Sequence, residues 1–352
     1  NTFGVTMKIK LEFDPVQKYS FSRIKLWRKC PMAHHYKYYQ GLEKVKKGLP
    51  LLIGSAIHSV IEEYTEHRNP QIPLDQFRKD FNKLFLEEKA ELGDLPTELE
   101  GIMSAYFKYY ENDGLTYPIR RRGVRSEIPI FVDLDNHTRF VGYVDAFPQD
   151  QEGRNWIMDT KSCKSIPEEA QRFADYQLVT YCWLVPQLGY PVPDGVIWNY
   201  VKKKSPTVPE VLKSGQLSKA KSIDSTYDVY MTAVDRLLGP EARPEYEEFA
   251  QTLKGRESKF FRRIYLPKPN SEMVGTVVRD LLSSIKEIHT YGPTSMVRNT
   301  TKDCSWCSYY NICQAELRGL DSDFIRANEY TTKEKVDVKE ETVIERNTSA
   351  EE

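Results

Sequence analysis

Two short stretches carry most of the chemistry this chain offers: Gly142-Tyr-Val-Asp145-Ala and Trp156-Ile-Met-Asp159-Thr-Lys161. Both are rich in β-formers and read as strands of one hairpin. Residues two apart on a strand share a face, so Asp159 and Lys161 project together, with Ile157 deeper on the same side. A hairpin partner carrying Asp145 brings a second carboxylate alongside. Two carboxylates that close repel, and one pKa rises unless a cation lies between them. A divalent ion removes the conflict, and oxygen ligands suit Mg²⁺ or Mn²⁺. Lys161 beside such an ion is placed to orient or activate a water and to stabilise charge developing on a phosphate. Taken alone, the D-x-K triplet reads more simply as an ion pair at a strand end.

Its companions change that balance. Gln177-Leu-Val-Thr-Tyr181 puts two hydrogen-bonding side chains four apart on one helical face. The plainer reading is a core tyrosine and a solvated glutamine. Gly54-Ser-Ala-Ile-His58 places a small residue, which lets another chain segment approach, one turn before a histidine that can complete a metal shell. The plainer reading is a histidine at a helix–helix contact. Glu127 lies on the preceding strand, facing either the same cleft or water.

Cysteines form a second cluster. Cys304-Ser-Trp-Cys307 is followed by Cys313, and Cys30-Pro31 lies near the other end of the chain. Without an export signal the expected compartment is a reducing cytoplasm, the cell's own or that of a phage's host, where such thiols are ligands rather than disulfides. Four thiolates hold either Zn²⁺ or a 4Fe-4S cluster. His34 and His35 beside Cys30 keep zinc open, while Trp306, Tyr309 and Tyr310 can shield a cluster. Either centre joins the chain's two ends and constrains the unfolded state. Cys163 and Cys182 read as core.

The elements that position these residues follow from periodicity. Helices are expected at about 20–41, 53–67, 74–92 and 96–112, with Gly41–Pro50 as a connector. Short strands follow at 124–132, 138–147 and 154–162 as an antiparallel meander. A helix at 167–189, a strand at 194–202, a long polar helix at 222–253, a strand at 259–266 and a helix at 270–290 lead to the cysteine segment. Length and patterning suggest a helical region over 1–115, a core over 116–268 with a polar insertion at 203–258, a C-terminal helix and cysteine segment over 269–320, and a charged tail over 321–352. Among 352 residues, 50 Lys and Arg balance 51 Asp and Glu, which excludes a uniformly basic coat but not a local basic groove. No apolar run approaches the roughly 18 residues of a membrane span. The start, NTFGVTMKIKLEF, carries neither an initiator Met nor the pattern of a secretory leader.

In this order and spacing, Cys30-Pro31, Gly54-x3-His58, Gly142-x-Val-Asp145, Asp159-x-Lys161, Gln177-x3-Tyr181 and Cys304-x2-Cys307-x5-Cys313 resemble the PD-(D/E)XK nuclease superfamily. The likeness is to its RecB-like iron–sulfur branch, which includes CRISPR-associated adaptation exonucleases and AddB-type nuclease domains. It covers about 30 to 313. It implies a restriction-endonuclease-like α/β fold, a mixed sheet flanked by helices. It implies metal ligation by His58, Asp145, Asp159 and the Thr160 carbonyl, and Lys161 at the attacking water with Gln177 and Tyr181 in support. It further implies a 4Fe-4S cluster on Cys30, Cys304, Cys307 and Cys313. Val144 rather than Pro precedes Asp145, a departure that the RecB-like branch tolerates. No helicase phosphate loop is present, so any unwinding motor is another chain.

The function expected from this resemblance is phosphodiester hydrolysis in DNA, as an exonuclease on single strands or ends. Arg120, Arg121, Arg122, Arg125, Lys202, Lys203, Lys204 and Arg262-Arg263 are candidates for a basic channel, with Trp27 or tyrosines to stack on bases. The plainer reading of such runs is solvated strand ends. A helicase, a recombinase or a CRISPR adaptation protein is an expected partner class, and a membrane is not. Three rivals stand beside this reading: a non-catalytic DNA-binding or assembly subunit, an electron-transfer protein using the cluster, and a zinc-stapled endonuclease. Oligomeric state and strand polarity are not legible.

Overall fold

The computed structural model describes residues 16–45, 49–118, 126–167 and 176–332. In chain order these hold β1 (Gln17–Tyr19), α1 (Phe21–Lys29), α2 (Pro31–Tyr38), β2 (Leu42–Lys44), α3 (Leu49–His67), α4 (Gln71–Asn82), α5 (Leu86–Leu92) and α6 (Leu95–Tyr109). Next come β3 (Ser126–Asp133), β4 (Thr138–Ala146), β5 (Trp156–Cys163), α7 (Tyr176–Leu184), β6 (Gly195–Lys202), α8 (Tyr227–Leu238) and α9 (Arg243–Gln251). The chain then runs through β7 (Phe261–Pro267), α10 (Ser271–Tyr291), α11 (Tyr310–Leu317), α12 (Asp323–Glu329) and β8 (Tyr330–Thr332). No described helix is long and apolar enough to cross a membrane.

The chain divides into two units. One comprises residues 1–20 and Gly48–Asp280, the other Phe21–Lys47 and Leu281–Glu352, with the division falling inside α10. The first is built on a six-stranded mixed sheet ordered β1-β4-β5-β6-β7, with β3 on the other edge of β4. β5 and β6 pair in parallel, and every residue of β6 but the last is buried, as expected of a strand covered on both faces. Helices α3 and α6 pack Ile53, Ile57, Val60, Leu99, Ile102 and Met103 into one apolar core with Val201 and Phe261 from the sheet and Phe260 just before β7. Helices α8 and α9 close a smaller core around Tyr230, Met231, Val234 and Tyr246.

Three expected elements are divided. Pro31 lacks an N–H and biases the residue before it toward extended backbone, so Cys30 adopts φ −163° and splits the helix expected at 20–41 into α1 and α2. Gly239, at φ 95°, and Pro240 stop α8 and divide the helix expected at 222–253. The helix expected at 74–92 breaks at Phe85, which is extended and whose N–H donates to Glu88. Residues 323–332, charged enough to suggest a tail, instead form α12 and β8, and β8 pairs antiparallel with β2. The segment 42–44, expected within a connector, is the β2 partner in that pair.

In the second unit, Met32, Ala33, Tyr36, Leu42, Tyr309, Ile312 and Tyr330 form a small core, with Cys30, Cys307 and Cys313 packed against it. Trp27 is buried and its indole N–H donates to Glu287, so it is a core residue rather than a stacking platform for bases.

Candidate metal centre and cysteine cavity

Strands β4 and β5 share a single ladder pair, Ala146 with Met158, and then part. In that antiparallel register Asp145 lies opposite Asp159. Beyond the last pair the Asp145 carboxylate substitutes for a backbone acceptor: the Thr160 N–H donates to its Oδ2 at 2.6 Å. The start of β4 pairs on the same edge with β1, at Thr138–Phe140, so the stretch between is a fork in the sheet. Helix α3 packs against the sheet here. A Cβ on Gly54 would sit 2.8 Å from the Ser162 hydroxyl, so glycine there lets α3 come close enough to bring His58 to the fork.

His58 Nδ1 lies 3.8 Å from Asp145 Oδ2. His58, Glu127 and Asp145 each offer a ligand atom, all within 4.8 Å of one another, the grouping a divalent ion needs. Asp159 faces a different partner. It is 3% exposed, its Oδ2 is 2.6 Å from Lys161 Nζ, and its Oδ1 accepts from Gln177 Nε2 at 3.1 Å. Lys161 in turn reaches Gln177 Oε1 at 3.5 Å, and Gln177 Nε2 also donates to the Tyr181 hydroxyl. Gly142 makes room for Tyr181: a Cβ there would meet its ring and hydroxyl at 2.9 Å. Behind the site, the Asn199 amide donates to Thr160 Oγ1 and to the Tyr106 hydroxyl, fixing the strand between Asp159 and Lys161.

Two further carboxylates belong to this cleft. Glu62, one turn after His58 on α3, lines it together with Glu127. Its spacing from His58 is the one sequence signal that marks it, and no motif accompanies that spacing. Glu127 has φ 46°, in the left-handed region that a non-glycine residue seldom occupies. It is held there from α3, where Glu66 accepts from both the N–H and the hydroxyl of Ser126.

Burial and mutual repulsion shift the acids together. Asp145 is pushed up to about 7, chiefly by burial and further by Glu127. Glu62 is also raised, by burial and then by neighbouring carboxylates, and Glu127 by burial, opposed by His58 and supported by Asp159. His58 is lowered, again chiefly by burial, which keeps its imidazole neutral and able to ligate. The donor set of one neutral imidazole and several carboxylates lacking a compensating charge fits Mg²⁺ or Mn²⁺. A carboxyl protonated below pH 7 must lose its proton to bind. Apparent Mg²⁺ affinity is therefore expected to fall about tenfold per unit as pH drops below about 7, and to level off above it. Calorimetric titration in buffers of different ionisation enthalpy checks this through proton release.

Cys30, Cys304, Cys307 and Cys313 line one cavity of about 260 Å³ in the second unit, and neither His34 nor His35 lines it. His34 accepts from Arg23 Nε, and burial followed by that charge pushes its pKa down to about 3. Among the described residues the sulfurs form no group within 4.8 Å. Of the basic candidates, Arg120, Arg121, Arg122 and Arg125 lie outside the described residues. Lys202 and Lys204 both pair with Asp224, and Lys203 follows β6 beside Gly54. Arg262 is exposed, whereas the Arg263 guanidinium is buried in an ion pair with Asp113.

The family model of the PD-(D/E)XK nuclease superfamily matches residues 18–314. The chain belongs to that superfamily, a group of metal-dependent nucleases, and its mixed sheet flanked by helices is the corresponding fold. No curated protein matches. A solved structure described as "Crystal structure of SSO0001" is similar at 12% identity and a TM-score of 0.28, over 84% of this chain and 95% of that one, too distant to transfer any residue.

Proposed function

We propose that this protein is an active deoxyribonuclease, an exonuclease on single-stranded DNA or DNA ends, with a structural 4Fe-4S cluster. The observation that carries the reading is the fork between β4 and β5, where His58, Glu127 and Asp145 gather beside the Asp159–Lys161 pair. His58, Asp145, Asp159 and the Thr160 carbonyl, with Glu127 added, would hold the divalent ion. Such an ion supplies Lewis acidity toward a phosphodiester oxygen and makes water a better nucleophile. Lys161 donates toward the phosphate as negative charge develops. Gln177 keeps Lys161 and Asp159 aligned, and Tyr181 holds Gln177 through its hydroxyl. An intact Asp159–Lys161 pair favours an enzyme over a non-catalytic subunit of the same fold.

The cysteines favour a cluster over zinc. Zinc sites more often pair one C-x-x-C with a second such pair or with two histidines, whereas here Cys30 stands apart from Cys304-x2-Cys307 and neither His34 nor His35 lines the cavity of the four cysteines. Thiolate ligation of either kind points to the cytoplasm. Lys202, Lys203, Lys204 and Arg262 would draw the DNA backbone toward the sheet.

Substrate topology tests the exonuclease reading. With Mn²⁺, linear single-stranded DNA is expected to be degraded from its ends while a covalently closed circle of the same sequence persists. Equal digestion of the circle would make the protein an endonuclease.

A further inference from the structure

Helix α3 borders a second cavity, of about 460 Å³, that shares Ile61 and Thr65 with the lining of the metal cleft. Its size falls in the range of roughly 300–1,000 Å³ typical of small-molecule sites. Its lining is unlike that of the cleft. Tyr64, Tyr110 and Tyr117 contribute rings, and two guanidinium planes lie against them. Arg263 sits 3.8 Å from the Tyr110 ring centre, and Arg68 lies 5.1 Å from that of Tyr64 and 5.7 Å from that of Tyr117.

The two arginines differ in what they have left to offer. Arg263 is buried, its charge matched by Asp113 and its N–H groups directed to Asn199 and Tyr106. Arg68 is exposed, and among the described residues its guanidinium has ring contacts and no carboxylate partner. Its backbone has φ 57°, in the left-handed position just past the end of α3 where glycine is usual. Residues held in such conformations are enriched at sites of function.

We propose that this cavity receives a nucleobase of single-stranded DNA, a few nucleotides from the phosphodiester at the metal cleft. The inference rests on the nuclease reading above and names a subsite for its substrate. Flat aromatic and guanidinium faces suit a base ring. Asp113 and Glu111 in the lining are paired with Arg263 and Lys108, and their remaining lone pairs can accept from a base edge. The distance is suitable too: Arg68 lies ten residues beyond His58, about 15 Å along the helix axis.

The test uses the full-length protein in EDTA, so cleavage plays no part. Anisotropy reports the binding of a fluorescent single-stranded oligonucleotide and of the same strand carrying abasic sites. Wild type is expected to bind the intact strand roughly tenfold more tightly, the scale of base stacking. In Arg68→Ala the preference should shrink toward unity, with circular dichroism unchanged because the side chain is exposed. Arg68→Lys, which restores charge without the plane, should recover overall affinity but not the preference. A wild type without base preference, or an Arg68→Ala variant that keeps it, overturns the proposal. If wild type shows the preference and Arg68→Ala loses it, but wild type never cuts DNA with Mn²⁺, the pocket stands and the nuclease reading falls.

Discussion

Lys161→Ala is expected to lower DNA cleavage by roughly 10²- to 10³-fold, the usual loss on removing one preorganised donor to a developing negative charge. The fold should survive, because Lys161 reaches the cleft from a partly exposed position at the end of β5. A further effect separates this account from a general loss of structure. Asp159 is almost wholly buried and loses its principal cation in the variant. A buried carboxylate left without that charge destabilises the protein until another cation replaces it. Thermal stability of Lys161→Ala should therefore respond to Mg²⁺ more strongly than that of wild type. The pair of measurements is turnover on labelled DNA and Tm with and without Mg²⁺. A variant with wild-type turnover would remove Lys161 from the mechanism.

Cys307→Ala is expected to lose visible absorbance and iron, and to destabilise the second unit by about 3 kcal/mol or more. That unit draws its residues from two chain segments separated by the whole of Gly48–Asp280, and its apolar core is small. A centre held by Cys30 on one segment and Cys304, Cys307 and Cys313 on the other closes that long loop. Anaerobic purification followed by iron, zinc and absorbance analysis reads the centre, and urea unfolding reads the stability. Colourless wild-type protein containing zinc would replace the cluster with a zinc staple and leave the nuclease reading untouched.

The legible parts of this site were those that depend on short-range geometry. Asp159 and Lys161 share a strand face because the side-chain period is two, and Gln177 and Tyr181 share a helix face because four residues make about one turn. Gly54 is readable as a place of close approach and clears space for Ser162, whereas the space Gly142 leaves for Tyr181 depends on a helix from elsewhere in the chain. Glu62 was equally readable by its spacing from His58 but lacked a motif to mark it. The strained backbone of Glu127 was not readable, since it depends on Glu66 reaching Ser126 from another element. Nor was the cavity around Arg68, whose walls come from positions as far apart as 64 and 263. Among the elements, helical periodicity masked the breaks at Pro31 and Gly239-Pro240. The β2–β8 pair joins residues too remote in sequence for any local pattern to announce.

The proposed activity depends on a divalent ion held by His58, Asp145, Asp159, the Thr160 carbonyl and Glu127, beside Lys161. The most direct test is digestion of end-labelled linear DNA by wild type in EDTA and in Mn²⁺, beside Asp145→Asn, with Mn²⁺ binding followed by electron paramagnetic resonance. Cleavage is expected only with Mn²⁺, and the variant is expected to lose both cleavage and high-affinity Mn²⁺ binding. Cleavage in EDTA, or an Asp145→Asn variant that binds Mn²⁺ and cuts as wild type does, would overturn this metal site.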